Sequence, residues 1–397
     1  MGSGIIKGLA LRVVKRALLL CFEVLIMRET LKKATIWIVK VGTRVCVDGH
    51  GRLNGRIMLS LARQIQALRE RGRKVCLVSS GAIGMGRELL QVEGCGDNLP
   101  LKQALAAMGQ VEIMDSYKNL FAMLGIKVGQ VLLTRDDIAA RDRYLNARNT
   151  LNALLDYGIL PIINENDSVS TGEIRFGDND SLAAMVGSIV NSDVVVNLTS
   201  VPGILAGEGK DEHVIELITE ISPEIESLDR GTTTKGGTGG LASKLRAAKM
   251  VMRYGGSMVI ASAQEENVLL RLAEGEALGT LFEGAESRLN SRQRWLAEAA
   301  RAEGSIVIDS GAAQALSEGG NSLLAVGCVA CEGDFKAGDL VSLTVEGQGN
   351  VPFARGLSNY SRAEVEQIVR RPNAEIAVIL GHAAYADVIH CDNLVIC

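Results

Sequence analysis

The chain has 397 residues, 44 of them glycine and only 6 proline, with 47% hydrophobic and 22% charged side chains. A chain of this size buries roughly three quarters of its unfolded surface, so it needs no disulfide or metal to hold a core, and so little proline excludes a long proline-rich disordered chain. The formal charge of −4 gives no general attraction to nucleic acid, although residues 1–35 carry +5 and residues 305–397 carry −6.

Arg12, Lys15 and Arg16 precede an apolar run over 17–27, the outline of a secretory leader. Glu23 interrupts that run, no small-residue cleavage site follows, and the run is too short to span a bilayer. Residues 1–34 therefore read as an extension outside the fold, with Met27 a candidate start. The alternative is a basic amphipathic segment lying on a membrane or a partner.

From Thr35 short apolar runs alternate with helical periodicity. Strands are expected over Ile36–Val41, Lys74–Ser79, Lys127–Leu133, Ile159–Ile163, Asp193–Leu198 and Met258–Ala261. Helices are expected over Leu53–Arg71, as a pair across about 100–124, and over Leu145–Tyr157, 181–190 and Leu245–Tyr254. The alternation predicts an α/β domain over 35–284, a three-layer αβα sandwich around a mostly parallel sheet. A linker helix is expected over 285–303, with its periodic part at Arg288–Ala302. Short, turn-punctuated strands then mark a small β-rich domain over 304–381, before a C-terminal tail, 382–397.

The eight cysteines are thinly spread, several of them inside apolar runs, and read as reduced thiols of a cytoplasmic protein. Cys328 and Cys331 have the spacing of half a zinc or redox site, but no second such pair exists and core or turn positions suit them better.

Four stretches carry the residues suited to chemistry. Gly231–Lys244 ends a glycine-rich run with Ser243 and Lys244 at the start of a helix, either a phosphate cradle or a flexible linker; the Walker order is absent. Lys40 sits at the end of a β-branched strand, where it either snorkels to solvent or meets Lys244 over a phosphoryl group. The loop 164–180 places Asn164, Asp167, Asn179 and Asp180 among small residues. It serves either as a ligand rim or as a cap for the next helix, and it lacks the calcium-loop spacing. The turn Ser79–Gly86 has the wrong glycine order for a dinucleotide fingerprint, and suits substrate contact by its amides and the Ser80 hydroxyl.

Together the segments IVKVGT (38–43), SSGAIGMGRE (79–88), GQVLLTRDD (129–137), RYLNARNTL (143–151), PIINENDSVSTGEIRFGDND (161–180), GTGGLASK (237–244) and GTLF (279–282) resemble the glutamate 5-kinases of the amino acid kinase family, and 304–381 resembles a PUA domain. The resemblance implies phosphorylation of the γ-carboxylate of L-glutamate by ATP with Mg²⁺ riding on the nucleotide, and no protein ligand to metal. It implies catalytic roles for Lys40, Lys244 and Asp180, and glutamate contacts by Ser80, Gly81, Ala82, Asn164, Asp167 and Asn179. ATP would be held by Lys40, Gly42, Thr199, Ser200, Thr238, Gly239, Gly240, Leu241, Ala242, Ser243 and Lys244. A homo-oligomer (dimer or tetramer), feedback by proline and no nucleic-acid partner are likewise expected. The chain departs from the family at Ser200, where an Asp is usual, and at Gly203-Ile204-Leu205 in place of Gly-Leu-Tyr. It also has Leu241 for Met and Ser243 for Thr. The rivals are another amino acid kinase, an RNA-binding protein acting through the PUA-like domain, and a regulatory pseudokinase.

Overall fold

The computed structural model describes residues 28–47, 54–92, 96, 98–170, 179–207, 212–228, 240–284, 302–349, 351–381, 385 and 387–397. The linker-helix expectation falls almost wholly on 285–301, outside the described residues. The chain divides into two compact units, Met1–Asp136 with Asn146–Arg288, and Asp137–Leu145 with Leu289–Cys397.

The strands of the first unit are β1 (Ile36–Val41), β2 (Lys74–Val78), β3 (Val128–Leu133), β4 (Leu160–Glu165), β5 (Val194–Thr199), β6 (Leu205–Ala206), β7 (His213–Val214), β8 (Leu217–Ile218), β9 (Ser257–Ser262) and β10 (Thr280–Phe282). Eight of them form one sheet in the order β3-β4-β2-β1-β5-β9-β10-β8, while β6 and β7 pair with each other. Neighbours run parallel except β9 and β10. The helices along this stretch are α1 (residues 28–33), α2 (Thr43–Cys46), α3 (Gly55–Glu70), α4 (Ala82–Leu90), α5 (Leu99–Ala122), α6 (Arg135–Ala139), α7 (Arg141–Asp156), α8 (Asn179–Val190), α9 (Pro223–Glu226), α10 (Leu241–Arg253) and α11 (Val268–Ala273).

Strand side chains alternate between faces. Trp37, Val39 and Val41 of β1 enter one core with Met58, Leu61 and Ile65 of α3, Tyr117 and Phe121 of α5, and Leu269 and Leu272 of α11. Lys40, one step out of phase, projects to the other face, which α8 covers. Every residue from Asp180 to Val190 is buried, so α8 is apolar almost all round, as a helix enclosed on every side must be.

Three expectations are corrected here. Residues 28–34 are not outside the fold. Leu31 and Ala34 belong to the core, and the Arg28 guanidinium donates to the carbonyls of Glu216, Glu276, Leu278 and Gly279. A basic-looking segment proved to be one whose cation satisfies four backbone acceptors. One helix of 24 residues, α5, runs where two were expected, and Gly109 in its middle marks a close approach rather than a break. The tail after 381 is also part of the fold, because Leu394–Ile396 forms a strand and Val388 and Ile389 are fully buried.

That strand is β15 of the second unit, which also holds β11 (Gly304–Ile308), β12 (Cys328–Gly333), β13 (Leu340–Val345) and β14 (Ala354–Leu357). They form a five-stranded sheet in the order β12-β11-β13-β14-β15. Strands β11 and β13 are parallel and the other pairs antiparallel. Helices α12 (Ser310–Ser317), α13 (Arg362–Ile368) and α14 (Asn373–Leu380) join them, α13 opening on a capping box made by Ser361 and Glu364. Its own core gathers Ile306, Leu343, Tyr360, Val365 and Ile389. Among the described residues six cysteines are free thiols, and no cluster of acidic, His or Cys side chains has metal-site geometry. No described helix is long and apolar enough to cross a membrane.

Candidate active site

The carboxyl ends of β1, β2, β4 and β5 lead into the stretches singled out above, the region where open parallel sheets bind ligands. Lys40 is paired in register with Val78 on one side and Asn197 on the other. Its Nζ forms a short ion pair with Asp180 Oδ1. Lys244, 204 positions later and at the start of α10, places Nζ 3.0 Å from Asp180 Oδ2. Two further donors complete the carboxylate: Asn197 Nδ2 lies 2.9 Å from Oδ1 and Ser243 Oγ 2.9 Å from Oδ2. The two lysines thus converge from opposite ends of the domain on one carboxylate.

The Asp180 side chain has no solvent exposure, and those of Lys40 and Lys244 are 9% and 12% exposed. Burial pushes the carboxyl pKa upward. The charges of Lys40 and Lys244 and their hydrogen bonds outweigh it and hold the group well below the usual carboxylate range. Its position in the first turn of α8 also suits an anion. An ammonium has three N–H donors, and gripping Asp180 takes one from each lysine.

The residue before it looks the other way. Asn179 Nδ2 lies 2.7 Å from the Ser79 carbonyl, 2.8 Å from Ser80 Oγ and 3.0 Å from Asn164 Oδ1. Asn164, at the end of β4, and Ser80 are both buried. Gly81 caps α4 with φ of +102°, and a Cβ there would sit 2.7 Å from Val47. Only glycine makes this turn without strain. Ala82 opens the helix, and Asp167 follows in the turn after β4, half-buried. Below the rim Ser79 Oγ lies 3.0 Å from the Tyr117 hydroxyl. Burial raises the pKa of Tyr117, and also that of its neighbour Cys46, so neither adds a negative charge to the site.

Beyond the lysines, Gly42 N–H donates to the Leu198 carbonyl at 3.1 Å, and Gly240 caps α10. Leu241 and Ala242 occupy its first turn, where backbone N–H groups lack helical partners. Thr199 ends β5 and Ser200 is exposed beyond it. Thr238 and Gly239 lie outside the described residues, as do residues 171–178 of the long loop.

Sequence reasoning missed two polar residues. Asn197 is a carboxamide within the apolar run of β5, a signal in itself, yet its register against Lys40 is visible only in the sheet. Gln110 of α5 is buried and bonded to Asn164, and nothing distinguishes it in sequence from an ordinary helical glutamine.

Residues 35–262 match the amino acid kinase family and residues 304–380 the PUA domain. The chain is 44% identical over 362 residues to a glutamate 5-kinase of Caldanaerobacter subterraneus subsp. tengcongensis, covering 90% of this chain and 97% of that protein. It is 41% identical over 373 residues to a glutamate 5-kinase of Methylobacillus flagellatus, covering 93% of this chain and all of that one. Among solved structures, a carbamate kinase from Giardia lamblia bound to AMP-PNP is 18% identical with a TM-score of 0.47, over 64% of this chain and 100% of that chain.

Proposed function

This chain belongs to the amino acid kinase family, among its glutamate 5-kinases, and from that premise we propose that it transfers the terminal phosphoryl group of ATP to the γ-carboxylate of L-glutamate. The product is L-glutamyl 5-phosphate, the first intermediate of proline biosynthesis. The supporting observation is the meeting of Lys40 and Lys244 on one buried carboxylate, one residue along from an amide that faces Ser80 and Asn164.

In this reading a γ-carboxylate oxygen attacks the terminal phosphorus. The new C–O–P linkage forms as the bond to the bridging oxygen breaks, and ADP leaves with that electron pair on its β-phosphate. No proton changes hands, so the protein supplies alignment and charge rather than a base. Lys40 and Lys244 stabilise the negative charge that spreads over the transferring group. Asp180 holds both ammonium groups in place. Ser80, Gly81, Ala82, Asn164, Asp167 and Asn179 form the amino-acid rim. Gly42, Thr199, Ser200 and residues 238–243 border the nucleotide.

The donor set around Asp180 bears on Mg²⁺. Its two oxygens already receive four donors, the number of lone-pair sites a carboxylate offers. The carboxylate therefore suits lysines rather than a metal, and Mg²⁺ would be carried by the nucleotide phosphates and water, where it neutralises phosphate charge. On the family ground the enzyme is further proposed to be cytoplasmic, homo-oligomeric and inhibited by proline. The −6 charge of residues 305–397 supports the absence of a nucleic-acid partner.

A coupled ADP-release assay across L-glutamate, L-aspartate and N-acetyl-L-glutamate tests the assignment. Turnover is expected with glutamate. Preference for either of the other two, or ATP binding without turnover of any, would overturn it.

A further inference from the structure

Resting on the reading above, we propose that Gln110 is a substrate-positioning residue, which fixes the Asn164 carboxamide and presents an amide N–H to a carboxylate of the acidic amino acid. A backbone N–H only donates, and that of Glu165 lies 3.0 Å from Asn164 Oδ1. Asn179 Nδ2 lies 3.0 Å from the same atom, so both neighbours identify it as the oxygen.

The opposite end of the Asn164 carboxamide is then its Nδ2 donor. Its partner on Gln110, 2.8 Å away, is the acceptor Oε1. The orientation of Gln110 follows, and its Nε2 is left buried with no acceptor among the described residues. A buried donor without a partner is costly, and natural proteins keep few of them outside functional positions. Gln110 also follows directly on a close contact between α5 and α4. Its neighbour Gly109 packs so tightly on Ala82 that a methyl group there would overlap the Ala82 carbonyl oxygen. The side chain that carries the unmet donor is held through its Oε1 by Asn164, and the preceding residue of the helix contacts Ala82, two of the residues read as gripping the substrate. A carboxylate is the acceptor that an acidic amino acid brings to such a place.

The test uses the full chain with Gln110→Glu and Gln110→Met. Glutamate at 110 keeps an oxygen for Asn164 but replaces the donor by a second acceptor. Methionine conserves volume and removes both. For each variant kcat, the KM values for L-glutamate and ATP, and Tm would be measured over a pH series. Both variants should raise the glutamate KM by roughly ten- to a hundredfold, the worth of a hydrogen bond to a charged group, with the ATP KM and Tm nearly unchanged. The Gln110→Glu defect should shrink as pH is lowered, because a protonated carboxyl donates again, while the Gln110→Met defect should not. Unchanged glutamate KM in both variants would overturn the proposal, as would a parallel loss in both that tracks Tm and ignores pH. An unsubstituted protein that fails to phosphorylate glutamate would overturn the functional reading itself.

Discussion

Asp180 is the residue on which the site's electrostatics turn. Its folded pKa is depressed, so the charge contributes stability that is complete above the unfolded carboxylate value near 4 and is lost as pH falls through the folded value. Replacing it by Asn keeps the shape but leaves two lysines nine-tenths buried beside a neutral group. Breaking a buried pair in this way costs about 3–5 kcal/mol. Asp180→Asn should therefore lower the urea midpoint by a corresponding amount at neutral pH, and the gap from the unsubstituted chain should narrow steadily below about pH 4. A gap that stayed constant down to about pH 2 would show that charge is not the cause. The same residue was legible in sequence because carboxylates flanked by small residues and amides are conspicuous. Its partner Asn197 was not, since only the parallel register of β1 and β5 sets it opposite Lys40.

At the scale of elements the pairing of α4 with α5 sets the height of the proposed amino-acid rim. Two glycines make it possible. A methyl group on Gly86 would overlap the Leu105 carbonyl, and one on Gly109 the Ala82 carbonyl. Both obstacles are backbone, which cannot rotate aside. Gly109→Ala should therefore cost about 1–3 kcal/mol by overpacking. Because Ala82 starts the helix that follows the proposed substrate turn, the glutamate KM should rise more than the ATP KM. Thermal melts with paired kinetics check both, and an equal rise in the two KM values would refute the element-level account. The strands β1 to β5 and β9 were readable from their apolar runs, and α3 from its apolar spacing. The unity of α5 was not readable, because a mid-helix glycine looks alike whether it ends a helix or admits a neighbour. The strand β15 is too short for periodicity to betray.

Each of the two units builds its own core around its own sheet, and every described residue of the candidate site belongs to the first unit. That unit depends on its earliest described residues. Arg28 gathers carbonyls from two separate stretches, Glu216 and Glu276–Gly279. Arg28→Met should fill similar space while leaving those acceptors short of a donor, a loss of about 2–4 kcal/mol. Chemical denaturation measures it, and a change below about 0.5 kcal/mol, the ordinary range of surface substitutions, would return this segment to the status of an appendage. Composition alone pointed that way, since a basic stretch beside an apolar run resembles a leader, and only three-dimensional contact reveals what its arginine holds.

Asn179 and Asp180 are consecutive, yet one reaches Ser80 on the proposed acceptor rim and the other the lysines of the proposed phosphoryl side. The two half-sites are therefore geared to a single peptide unit at the head of α8. A twist of that helix cannot loosen one grip without turning the other. Acceptor preference can drift between descendants only through residues that approach the rim from elsewhere, and α5 offers the shortest route.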